Sequence, residues 1–156
     1  SLSTGLLISV MVGAFALAQW TLSPSGSSTV SNCQPTATVT VGSVTGLFPG
    51  ASGTANLSVA NTSSCISPGI AFDYDAASVA LTLVSGDGIN CPDANFSAVY
   101  NFVDDTTNDH PATSTSHVDQ SETDVDTVTV SLSSTAPDGC QGVAAALTAV
   151  VTLTQD

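Results

Sequence analysis

"TATVTVGSVTGLFPGASGTANLSVAN", residues 36 to 61, decides how this chain folds. Two runs within it, "TATVTVGSV" from Thr36 and "GTANLSVAN" from Gly53, alternate apolar and polar residues with the period of a half-buried strand. Between them stands Pro49-Gly50, a natural turn centre, because proline presets one φ angle and glycine accepts a positive one. A hairpin folded about Pro49 pairs residues whose numbers sum to about 98. Cys33 and Cys65 meet that sum, so the register predicts a disulfide between them and leaves Cys91 for Cys140.

Five more runs follow downstream: "GIAFDY" from Gly69, "SVALTLVS" from Ser78, "NFSAVYNF" from Asn95, "VDTVTVSLS" from Val125 and "VAAALTAVVTLT" from Val143. Seven strands at this spacing predict an all-β body, either a jelly roll or an Ig-like sandwich. Composition agrees, since 42% apolar residues in a chain of 156 suffice for one core, and Val, Thr, Ser, Ala and Gly outweigh the 5% aromatics.

The chain contains no lysine or arginine and thirteen acidic residues, for a net charge of −13. Without cations it cannot neutralise phosphates, which excludes nucleic acid and anionic membrane surfaces as partners. Its carboxylates must be dispersed in salt, bound to cations, or protonated in an acidic medium. Four cysteines with no CxxC spacing fit disulfides and an oxidising exterior better than zinc. Sequons at Asn56, Asn61 and Asn95 make surface glycosylation an expectation for an exported chain.

Between Phe102 and Val125 runs "VDDTTNDHPATSTSHVDQSETD", which reads either as a solvated loop or as a cation site. Asp104, Asp105 and Asp109 supply hard oxygen ligands suited to calcium, the one cofactor the sequence suggests. His110 and His117 would adapt the same stretch to a transition metal. No GxSxG, HExxH or activated-cysteine context occurs, so no catalytic residue is assigned and an enzyme is not expected.

Ahead of the body lies "GLLISVMVGAFALAQW", residues 5 to 20, and "SPSGSSTVSN", residues 23 to 32. The expected organisation is an apolar arm at 1–23, a flexible joint at 24–32 and a β-sandwich body at 33–156. "FALA" before Gln19 imitates a signal-cleavage site, but the run lacks a basic n-region and is taken as part of the mature protein. As a strand, its even positions Leu6, Ile8, Val10, Val12, Ala14, Ala16, Ala18 and Trp20 form an unbroken apolar comb that must find a groove, in the strand-donation reading one on another copy. As a helix, Leu6 to Trp20 would span only about 22 Å against a hydrocarbon core of about 30 Å. Extended from Ser1 to Ser23, it would carry a Gly5, Ser9, Gly13 stripe suited to close helix packing in a filament core.

"LLISVMVGAFALAQW", "LFPGASGTANLSVANTSS" from Leu47 and "DGCQGVAAALTAVVTLTQD" at the end resemble the TasA and camelysin-like secreted proteins. The shared elements fall on Gly13-Ala14-Phe15-Ala16, Pro49-Gly50, Asn61-Thr62, Gln141-Gly142 and Gln155. The resemblance implies a jelly-roll biofilm fibre subunit whose copies are joined by donation of an N-terminal strand, as in archaeal bundling pili. Four cysteines depart from that pattern. The metalloprotease label borne by some camelysin-like members is not carried over, for want of a zinc-ligand motif. The expected protein is therefore a structural subunit of an extracellular, cell-surface filament, with identical subunits as partners and a membrane only before assembly. The alternatives are a type IV pilin-like subunit with a helical core and a secreted, metal-dependent peptidase-like protein.

Overall fold

A computed structural model describes residues 35–65, 69–103 and 115–155, together with the backbone of 6–11 and 14–21. Ten strands run in chain order: β1 (Leu6–Met11), β2 (Ala14–Thr21), β3 (Ala37–Val41), β4 (Ser52–Asn61), β5 (Phe72–Asp75), β6 (Val79–Ser85), β7 (Phe96–Asn101), β8 (Thr115–Val118), β9 (Thr123–Leu132) and β10 (Ala145–Gln155). One sheet has the order β3-β4-β9-β7; the other runs β1-β2-β10-β5-β8, with β6 also paired to β10. The fold is an all-β sandwich, as the alternation predicts.

Each of the seven runs forms a strand. The 36–61 hairpin has the expected register, with Ala37 opposite Asn61, Val39 opposite Val59 and Val41 opposite Leu57. Its tip turns at Pro49-Gly50, where Ala51 N–H donates to the Phe48 carbonyl at 2.8 Å and Gly50 takes a φ of 83°. Those values are those of a type II turn, which needs glycine at its third position. The paired part of the hairpin stops at Val41, because Val44 leaves the sheet and exchanges backbone hydrogen bonds with Ala145 at the start of β10. Gly53 makes that detour possible: a Cβ there would stand 2.6 Å from Val44 Cγ1. β8 falls inside the stretch expected to be a loop. Only four residues long and mostly polar, it lacks the apolar alternation by which strands are recognised.

The core lies between the sheets. Leu57, Val59, Val128, Val130 and Leu132 meet Phe72, Val118, Leu147, Val151 and Leu153, all at most 2% exposed. Cys91 and Cys140 are both fully buried and are joined, closing a loop of 49 residues and tying the loop before β7 to the one before β10. Cys65 is disulfide-bonded as well. Cys33, its expected partner, lies outside the described residues.

The arm departs from the single long strand read in the sequence. It holds two antiparallel strands, with Leu6 opposite Gln19, Ile8 opposite Leu17 and Val10 opposite Phe15. Opposed residues share a sheet face. Leu6, Ile8 and Val10 therefore share a face with the odd-numbered positions of β2, while Ala16, Ala18 and Trp20 stand opposite Ala149, Val151 and Leu153. The reversal divides the even-numbered comb between two faces. Ala14 pairs with Met11 at the turn end, and Val12 lies outside the described residues.

Candidate assembly site

β10 is the longest strand and the axis of its sheet. On one side, its residues Ala145–Val151 pair antiparallel with β6, and Thr154 and Gln155 pair with β5. On the other side it pairs in parallel with β2, from Thr148 opposite Phe15 to Thr154 opposite Thr21. Seven consecutive register positions of β10 are thus completed by the arm. Ala149, Val151 and Leu153 in that stretch are buried core residues, so the strand that offers this edge is a core-forming one. An unpaired edge of this length would be a ready template for another strand.

The link between the arm and β3 is long. Thirteen residues, 22–34, separate Thr21 from Pro35 and could span about 45 Å if extended.

Of the sequons, Asn56 is exposed and Asn95 half-buried. Asn61 corrects the glycosylation expectation, being 1% exposed with its amide fully engaged. Its Nδ2 donates to the Ile70 carbonyl at 2.6 Å and the Val118 carbonyl at 3.0 Å, and its Oδ1 accepts from Ser63 N–H at 3.1 Å. A glycan on that nitrogen has no room in the folded body.

Asp104, Asp105, Asp109 and His110 lie outside the described residues. Among the described residues no group of three or more His, Cys, Asp or Glu could hold a metal ion. His117, on β8, has Nδ1 2.6 Å from Asp73 Oδ1 and Nε2 3.4 Å from Asp119 Oδ1. A protonated ring could donate to both carboxylates. Among the described residues no helix is long and apolar enough to cross a membrane.

No protein-family model, curated protein or solved structure matches the chain.

One polar cluster escaped the sequence reading. Asp124 and Asp126 occupy the inward phase of β9, in line with Val128, Val130 and Leu132, and both are buried. The outward phase, Thr123, Val125, Thr127, Thr129 and Ser131, carries no charge. Across the core, the Tyr74 hydroxyl on β5 lies 2.5 Å from Asp124 Oδ2 and 3.0 Å from Asp126 Oδ2. The Tyr100 hydroxyl on β7 lies 2.5 Å from the same Asp126 oxygen. Val103 N–H donates to Asp126 Oδ1 at 2.8 Å, and Val125 N–H to Asp124 Oδ1 at 2.8 Å. Phe102 packs edge-on against both tyrosine rings. Burial raises Asp126 above the ordinary carboxyl value, and burial together with the facing carboxylates raises both phenols. The parity of Asp124 and Asp126 with the apolar residues of "TDVDTVTVSL" was the available signal.

Proposed function

We propose that this chain is the structural subunit of an extracellular filament, polymerised when the N-terminal arm of one subunit completes the β10 edge of the next. The supporting observation is the β2–β10 pairing: a core-forming strand edge is finished by a segment tied to the body through thirteen residues. An arm so tethered can close its own sheet or that of a neighbour with the same backbone bonds. In the neighbour's sheet, each exchange joins one subunit head-to-tail to the next and leaves a new free edge, so the chain of subunits does not close on itself. The sequence resemblance to TasA and camelysin-like fibre subunits is consistent with this reading, as are paired cysteines, which fit an oxidising exterior. Cohesion then rests on backbone pairing and neutral apolar contacts, which suits a chain whose copies repel by charge.

The test is assembly by the full chain against a body lacking residues 1–23. The full chain should form filaments under negative stain. The truncated body should stay short or monomeric and should bind a synthetic peptide of residues 1–23. Filaments of equal length from the truncated body would overturn the reading.

A further inference from the structure

We propose that Asp126 keeps its proton in the folded subunit and donates it to Tyr74, so that the sandwich interior carries a lock that acid closes and alkali opens. Three oxygen–oxygen contacts join the cluster: Tyr74 to Asp124, Tyr74 to Asp126 and Tyr100 to Asp126. The two phenols bring one proton each. Tyr100 fills its contact with Asp126, and Tyr74 fills the shorter of its two contacts, with Asp124. The third contact needs one more proton, which one of the two carboxyls must hold; Asp126, 0% exposed against 8% for Asp124, is the costlier to ionise and takes it, its Oδ2 donating to the Tyr74 oxygen.

The surroundings keep one proton in the pair. Two carboxylates bridged by one phenol oxygen lie within about 5.5 Å of each other, and such a pair resists double ionisation. Among the described residues the titratable groups facing Asp126 are Asp124 on its own strand, Tyr74 from β5 and Tyr100 from β7, with Asp75 of β5 acting on Tyr100. Neighbouring β4 presents Leu57 and Val59, and β8 presents Ser116 and Val118, none of them titratable. His117 of β8 sits in the other phase of its strand, against Asp73. None of these groups can be a cation. Burial, the leading influence on Asp126, also favours the neutral acid. A neutral carboxylic acid then serves as a buried hydrogen-bond donor.

A carboxyl whose folded value is raised above 3.8 binds its proton more tightly folded than unfolded. Stability is therefore full in acid and is lost as pH rises from about 4 through the raised folded value. In that window one retained proton makes the unfolding constant climb up to tenfold per pH unit.

The experiment is infrared difference spectroscopy on the full chain in heavy water at pH 7, where exposed carboxyls are ionised. The wild type should show the carbonyl stretch of one protonated carboxyl, absent from Asp126→Asn and shifted in Tyr74→Phe. Urea unfolding between pH 4.5 and 8 should give a slope against pH that is steeper in the wild type than in Asp126→Asn by up to one proton. If Asp126→Asn does not fold, the wild-type band and its disappearance on alkaline titration decide. Absence of a protonated-carboxyl band at pH 7, or equal slopes in the two proteins, would overturn the proposal.

Discussion

Replacing Asn61 by alanine should be among the most damaging single changes outside the apolar core. Asn61 ends β4, is 1% exposed, and its side chain joins three separate backbone segments through Ile70, Val118 and Ser63. Alanine removes three hydrogen bonds and leaves two carbonyls and one N–H without that partner. At a net contribution of about 1 kcal/mol per bond, plus partial desolvation cost, the loss comes to about 3 to 5 kcal/mol. For a domain of this size that corresponds to a fall in Tm of roughly 10 °C. Urea unfolding followed by circular dichroism would measure it, with the midpoint displaced and the slope unchanged. Asn61→Asp keeps the shape but sets carboxylate oxygens against two carbonyls, so at neutral pH it should be worse than alanine. Its deficit should shrink in acid, where the protonated side chain regains one donor. A loss below 1 kcal/mol for Asn61→Ala, or an aspartate as stable as asparagine, would refute the reasoning.

Breaking Cys91–Cys140 by double alanine substitution should cost about 4 kcal/mol in the chain-entropy model for its 49-residue loop, measured by calorimetry. Asp75 caps the short 3-10 turn Ala76–Ser78, accepting from Ser78 N–H at 2.8 Å and Ser78 Oγ at 2.6 Å, and the Ser78 hydroxyl above all lowers its carboxyl. Asp75→Ala should therefore cost about 0.5 kcal/mol at neutral pH, the site being solvent-screened, and the difference from wild type should vanish as pH falls below about 4. In the arm, Ala18 stands opposite buried Val151, whereas Leu17 stands opposite half-buried Val150. Ala18→Asp should abolish filaments in electron micrographs and Leu17→Asp should only shorten them, because a carboxylate in the core phase finds no cation.

Alternation made the hairpin at 36–61 legible down to its register, because the period of a strand and a Pro-Gly turn leave little choice. β8 was not legible, since "TSHV" earns its place by pairing with β5 and not by its own apolar pattern. Sequence distance hid the Tyr74, Tyr100, Asp124 and Asp126 cluster, which spans three strands and two sheets. Asp126 falls inside the run from Val125, where parity with Val128 and Val130 places it inward, while Asp124 lies in the polar stretch before that run. The reversal inside the arm lacked a signal of equal strength, because Val12-Gly13 sits in an apolar run without a Pro or Asn to mark a turn. Asn61 carried a sequon, and only its burial shows that the same residue is structural.

Strand donation is tested most directly by a density map of the assembled filament at a resolution that traces backbone between subunits. The account predicts continuous density from Pro35 of one subunit back through its arm to the β10 edge of its neighbour, paired along residues 148–154. An arm lying on the β10 edge of its own subunit throughout the filament, or one wound as a helix in a central bundle, would contradict it.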